Sequence, residues 1–178
     1  MAHPLHEIIG RHLTETNFPA CKVLKDPACG GEQHLPLFVS SKKSRKTKYC
    51  NVDILVFQNN RVRVIIEIEE SDIKPTKICG KFLTAALSSY FIHETYHNKP
   101  IAIRDALFIQ ILDTTELKAA TSRIKQWRNL ESSIKSLLPL RKSSIIEYKL
   151  LCGDSKSFQS NADQLCNCIN NFLTDILN

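Results

Sequence analysis

Val52-Asp53-Ile54-Leu55-Val56-Phe57 and Val62-Arg63-Val64-Ile65-Ile66-Glu67-Ile68-Glu69 are the two stretches that decide the fold. Both are rich in β-branched residues, which suit the pleated, half-buried surface of a strand. Gln58-Asn59-Asn60-Arg61 lies between them as a turn signal, so residues 50–58 and 62–69 are expected to pair as a hairpin. Each run also carries acid where a core strand should be apolar. A buried carboxylate without a partner costs several kcal/mol, so Asp53, Glu67 and Glu69 call for a metal or a base. Side chains alternate faces along a strand, so Glu67 and Glu69 point the same way, and Asp53 can join them across the ladder.

Outward from this pair, the pattern alternates helix and strand. Residues 4–15 read as a helix with Leu5, Ile8, Ile9 and Leu13 on one stripe. Residues 26–36 carry Pro27, Gly30, Gly31 and Pro36 and read as loop, with a short strand at 37–39. A helix is expected over 77–93, then a continuous apolar strand at 107–112 covered on both sides. A helix starting at 116 or 122 runs to Leu138, where Pro139 stops it, with Trp127 on its core stripe. A strand at 144–151 follows. The last helix opens at Asn161 with Gln164 three residues on and buries Leu165, Ile169, Phe172, Leu173 and Ile176. The order predicts an α/β fold, a mixed central β-sheet flanked by helices on both faces, as one domain over residues 1–178.

Composition narrows the partner. The chain of 178 residues carries 24 basic and 18 acidic side chains, a net charge of +6, which favours a polyanion. The charge is also segregated: residues 42–48 read Lys-Lys-Ser-Arg-Lys-Thr-Lys without an acid, and 67–72 read Glu-Ile-Glu-Glu-Ser-Asp without a base. An acidic spot inside a basic protein suits a cation held between protein and a phosphate backbone. Lys42, Lys43, Arg45, Lys46, Lys48 and Lys74 are the candidates for phosphate contact, against the alternative of a solvated loop. Gln58, Asn59, Asn60, Arg61 and Arg63 are candidate base readers. No run of about 18 apolar residues occurs, and the start of the chain lacks a basic segment followed by an apolar one. A cytoplasmic protein with no membrane contact and no small-molecule cofactor is expected, its seven cysteines reduced. His93 and His97 would stand four apart on a helix, a zinc-compatible spacing without a third ligand. His3 and His6 carry no evident role, and Glu70 and Asp72 read as solvated loop acids.

An oxygen-only set of carboxylates suits Mg2+, with Mn2+ as a substitute. Such a cation makes a coordinated water a better nucleophile and neutralises charge at phosphorus. Asp53, thirteen intervening residues, then Glu67-Ile68-Glu69 resembles the PD-(D/E)xK nuclease superfamily, the restriction-endonuclease-like fold. The resemblance covers residues 1 to about 112. It implies that Asp53 and Glu67 hold the metal, that the Ile68 carbonyl completes the ligand set, and that the catalytic group includes Glu69. The chain departs from the pattern in two places: Val52 replaces the proline before the aspartate, and Glu69 stands where the family usually has lysine. Some restriction endonucleases carry glutamate at that position. In other members a lysine of the following helix serves, and here Lys77, Lys81, Thr84 and Ser88 form a polar stripe that offers Lys77 or Lys81. The family often adds an acid from the first helix, for which Glu7 is the candidate and Glu32 the second. The expectation is a magnesium-dependent DNA endonuclease of the type II restriction kind, acting as a homodimer. The alternatives are an inactive nuclease-like module that binds nucleic acid or protein, and a repair, junction or phage nuclease.

Overall fold

The computed structural model describes residues 3–117 and 122–175. The elements run α1 Pro4–His12, β1 Cys21–Lys25, β2 Leu35–Phe38, β3 Lys48–Val52, β4 Ile54–Gln58, β5 Arg61–Glu69, α2 Pro75–Ala86, β6 Tyr90–Phe91, β7 Ile101–Asp113, α3 Arg123–Leu137, β8 Ile145–Gly153, α4 Ser155–Ser160 and α5 Ala162–Asp175. The eight strands form one mixed sheet in the order β1-β4-β5-β7-β6-β2-β3, with β8 also paired to β7. β7 is long enough to hold both: its first residues pair with β6 and the stretch from Ala106 onward pairs with β8. The expected α/β sheet with helices on both faces is therefore what the chain builds.

The hairpin forms as read. β4 and β5 pair antiparallel, and Asn59 and Asn60 both adopt positive φ, 52° and 57°, the conformation of a two-residue turn whose twist matches its strands. β5 then pairs parallel with β7, and β7 with β8, so β5 and β7 are covered on both faces. Alternation splits the core in two. Ile65, Phe108 and Tyr148 face α2 and α3 through Ile78, Phe82, Trp127 and Ile134. Ile66, Ile68, Ile109 and Ile111 face α1, α4 and α5 through Leu5, Ile9, Phe158, Leu165 and Ile169.

Several boundaries differ from the sequence reading. The run at 50–58 is broken at Asp53, because β3 pairs with β2 in one half of the sheet and β4 with β1 and β5 in the other. The helix expected over 77–93 stops at Ala86, and Tyr90–Phe91 is a short strand. His93 and His97 are thus not on a helix: His93 caps a single 3-10 turn and His97 sits in the left-handed region at φ 54°, which removes the zinc-like spacing. The first helix ends at His12 rather than Glu15. The last helix opens where expected, as α5, and buries Leu165, Ile169, Phe172 and Leu173, with Ile176 outside the described residues; the short α4 before it was not foreseen. β1 went unforeseen. Trp127 is fully buried, as read. All seven cysteines are free. Among the described residues no helix is long and apolar enough to cross a membrane.

α1 packs onto the turn Pro27–Cys29 through Gly10. A Cβ added there would lie 2.0 Å from the Cys29 carbonyl oxygen, a backbone atom that cannot swing aside. The Lys25 ammonium also donates to the Gly10 carbonyl. Gly10→Ala is expected to destabilise the fold by about 1–3 kcal/mol through overpacking, despite alanine's better helix propensity. Urea unfolding of the variant checks this.

Candidate metal and nucleic-acid site

The break at Asp53 creates the site. The Ile54–Ile66 register, continued by one step, sets Asp53 opposite Glu67. The Asp53 amide donates to the Ile66 carbonyl at 3.2 Å, and its own carbonyl accepts from the Asp26 amide at 2.8 Å, so the backbone is held from both sides. Beyond Ile66 the edge of β5 facing β4 has no strand partner. There the Ile68 amide donates to Asp53 Oδ2 at 2.6 Å. In a ladder the N–H and C=O of one residue face the same neighbour, so the Ile68 carbonyl opens to the same edge as the Asp53 carboxylate.

Glu67 is fully buried and Glu69 is 4% exposed, and both sit on a central strand. An edge strand that discourages pairing with surface acids is therefore not what these residues are. The helix α2 supplies their counter-charges. Lys81 Nζ lies 2.8 Å from Glu67 Oε2 and 3.9 Å from Glu69 Oε1, and Lys77 Nζ lies 2.5 Å from Glu69 Oε2. The four-residue spacing that puts both lysines on one helix face is what allows this. Burial pushes the Glu67 carboxyl well above its ordinary value; the Asp53 charge adds to the push and Lys81 opposes it. Partial burial alone would lower the Lys81 ammonium, but Glu67, Glu69 and Asp53 override this and hold it above the ordinary lysine value. Lys81 is still 34% exposed on its side chain, partly hydrated and facing three acids, so it stays charged and the exchangeable proton of the pair belongs to Glu67. Oε1 of Glu67 and Oε1 of Glu69 have no hydrogen-bond donor.

The first helix contributes differently from the sequence reading. Glu7 is 56% exposed on its side chain and pairs with Arg11 one turn on, a surface ion pair away from the carboxylates. Glu32 is exposed and lines a separate cleft with Lys22, Lys25 and Tyr96. The residue that α1 turns to the site is His6, whose Nε2 lies 3.7 Å from Asp53 Oδ2. Glu70 is no solvated loop acid either. Its Oε1 accepts from the Leu5 amide at 2.5 Å and the His6 amide at 3.0 Å, closing the N-terminus of α1, and its Oε2 lies 3.2 Å from His3 Nδ1. His3, His6 and Glu70 offer ligand atoms within 4.8 Å of one another, but two amide donors on Glu70 already account for that carboxylate as a helix cap. Asp72 is exposed and pairs with Lys74, as a loop acid would.

His6 yields a stability prediction. Burial alone would lower its pKa, but hydrogen bonding and charge from Asp53 and Glu70 together raise it above the usual histidine value. A group whose folded pKa is raised contributes stability that is fully present below its unfolded value, about 6.5, and is lost as pH rises through the folded value. His6→Ala is therefore expected to cost more stability at pH 6 than at pH 9, as denaturant titrations at the two pH values would report.

Lys42, Lys43, Arg45, Lys46 and Lys48 are all exposed, on the loop 39–47 and the first residue of β3. Lys43 is held by the Asn98 side chain at 2.7 Å. β3 leads straight from Lys48 to the break, about 17 Å at strand rise. The candidate readers at the β4–β5 turn sit at the other end of β5, about 20 Å from Glu67 along the strand. Arg63 is buried rather than offered to a groove. One buried polar residue was passed over in the sequence: Gln110, inside the apolar run of β7, lies opposite Glu67 in the parallel register. A lone amide in a doubly covered strand was the signal that marks it. Comparison of the chain with known protein families, with curated proteins and with solved structures finds no match.

Proposed function

We propose that the protein is a magnesium-dependent DNA endonuclease built on a restriction-endonuclease-like core of the PD-(D/E)xK kind. The observation that carries this reading is Lys81, which reaches from α2 to within 2.8 Å of Glu67 and so brings a lysine to the place that Glu69 occupies in the sequence motif. Asp53 stands opposite Glu67 at the strand break with the Ile68 backbone beside it, an oxygen-only donor set of the kind that fits Mg2+ and tolerates Mn2+. In this reading Asp53, Glu67 and the Ile68 carbonyl hold the cation. When bound, the cation activates a coordinated water and neutralises charge on the phosphate. Lys81 steadies the scissile phosphate, and Glu69, fixed by Lys77, orients the water as a hydrogen-bond acceptor.

The basic loop, one strand length away, would meet the same duplex on the order of five base-pair steps along, since B-DNA rises about 3.4 Å per step. A type II restriction-like enzyme is the favoured subtype, and a palindromic target implies a twofold homodimer. A second reading rests on the same ion pairs: with Lys77 and Lys81 already matched to Glu69 and Glu67, the fold could serve as an inactive module that binds nucleic acid or protein.

Incubation of supercoiled plasmids with the protein and Mg2+ tests the first reading. Nicking or linearisation is expected for the wild type and none for Asp53→Ala. Salt-sensitive DNA binding without cleavage, over linear, supercoiled and branched DNAs, would instead select the inactive module. Cleavage confined to branched DNA would select a junction nuclease.

A further inference from the structure

Gln110 is fully buried in the middle of β7, where a side-chain amide has three or four hydrogen-bonding positions to satisfy. The parallel register places it directly opposite Glu67 on β5. Phe108 and Leu112, two residues to either side, pack under α2 and α3, so the amide shares the face onto which Glu67 and Lys81 open. On its other flank is β8. There the Tyr148 hydroxyl donates to Gln110 Oε1 at 3.0 Å. The Tyr148 ring is locked by stacking on Phe108, with centroids 6.0 Å apart, and by an edge contact with Phe82 at 5.3 Å.

This arrangement fixes which end of the amide faces which strand. A hydroxyl proton directed at Oε1 from the β8 side leaves the NH2 group for the β5 side. Gln110 Nε2 has no hydrogen-bond acceptor, and Glu67 Oε1 on the facing strand has no donor. An orphaned donor and an orphaned acceptor thus stand on register partners of adjacent strands, about 4.8 Å apart. Leaving both unmatched in a dry interior is costly, and a small rotation of either side chain joins them. A carboxylate oxygen has two lone pairs, so Glu67 Oε1 can take this donor and still face a cation.

We propose that Gln110 is a positioning residue for the cation site: held by the Tyr148 hydroxyl, its amide N–H donates to Glu67 Oε1 and sets the rotation of that carboxylate, with Lys81 on the other oxygen. The inference rests on the reading of Asp53 and Glu67 as metal ligands. Partners behind a metal ligand typically change metal affinity or activity about 10–100-fold when removed.

The test is Mn2+ binding to the full chain, followed by titration calorimetry or the Mn2+ paramagnetic resonance signal, beside thermal unfolding. Gln110→Leu conserves volume but leaves the buried Tyr148 hydroxyl without its acceptor, so a modest fall in melting temperature with the fold retained is expected. Its Mn2+ affinity is expected to fall about 10–100-fold, with the loss in cleavage appearing in kcat rather than KM for DNA. Tyr148→Phe keeps every ring contact and frees only the amide, so it should weaken Mn2+ binding by a smaller factor in the same direction. A merely structural amide would lower stability and leave the Mn2+ affinity alone. Wild-type Mn2+ affinity in both variants overturns the positioning role while sparing the metal site. A wild type that binds no Mn2+ overturns the metal site, and the positioning role with it.

Discussion

Lys81→Ala is expected to cost little stability at pH 5, about 1 kcal/mol or less, and progressively more at high pH, up to about 3–5 kcal/mol by pH 9. The ammonium lies 2.8 Å from an oxygen of Glu67, which has no exposed surface. Breaking a buried pair from one side costs about 3–5 kcal/mol, because the remaining charge has neither water nor partner. Glu67 can escape by keeping a proton. Burial already holds its carboxyl well above the ordinary value in the wild type, so at low pH it is protonated in both proteins and the loss is small. Above the wild-type folded pKa, keeping the proton costs the variant about 1.4 kcal/mol for each further pH unit, until the cost of the unpaired charge is reached. The sign follows from linkage. The variant's Glu67 has its folded pKa raised further above the unfolded one, so its protonated form contributes stability below the unfolded value that is lost as pH rises toward the folded one. The gap between wild type and variant must then widen from pH 5 to pH 9. Urea unfolding at both values measures it. A small, pH-independent loss would mean that Glu67 does not depend on Lys81.

Asp53→Asn is expected to abolish cleavage, by about 1000-fold or more, while changing stability by no more than about 1 kcal/mol. The amide oxygen of asparagine can still accept from the Ile68 amide, so the strand break keeps its main hydrogen bond. What is lost is the difference between a charge-assisted and a neutral bond, roughly 1 kcal/mol, together with the His6 contact at 3.7 Å. A thousandfold loss in rate corresponds to about 4 kcal/mol of barrier, within reach of the electrostatic role assigned to a metal-holding carboxylate. Plasmid cleavage and urea unfolding on the same preparation separate the two effects. A variant that cuts at the wild-type rate would remove Asp53 from the site.

The central hairpin and the acids on it were legible because strand periodicity and a two-asparagine turn are local signals. That Lys77 or Lys81 could reach the acids was legible too, since helical spacing needs only the knowledge that α2 covers β5; which lysine meets which glutamate was not. What failed depends on contacts distant in sequence. Nothing in residues 50–58 announces that the chain changes sheet partners at Asp53; that break exists because β3 finds β2 and β4 finds β1 and β5. Glu7 was read as the acid of the first helix and His6 as without a role, because an acid matches the family pattern, yet the rotation of α1 is set by Glu70, whose carboxylate reaches across 65 residues to the Leu5 amide. Residues 87–93 looked helical by composition, but Ser89 donates to the Phe38 carbonyl and Tyr90–Phe91 pairs with β2 and β7, which outweighs weak local propensity. β1 is five residues long with three half-exposed apolar side chains, too short and too irregular to carry a period. Gln110 was visible as the one polar residue in the run from Leu107 to Leu112, and only the register with Glu67 gives it meaning.

The central claim is that Asp53, Glu67 and the Ile68 carbonyl hold one divalent cation. A crystal soaked in Mn2+ and recorded at the manganese edge tests it most directly. The account predicts one strong anomalous peak at the open edge of β5, about 2.0–2.3 Å from an oxygen of each of the three groups. No peak there at high Mn2+, or a peak held instead by His3, His6 and Glu70, would contradict it.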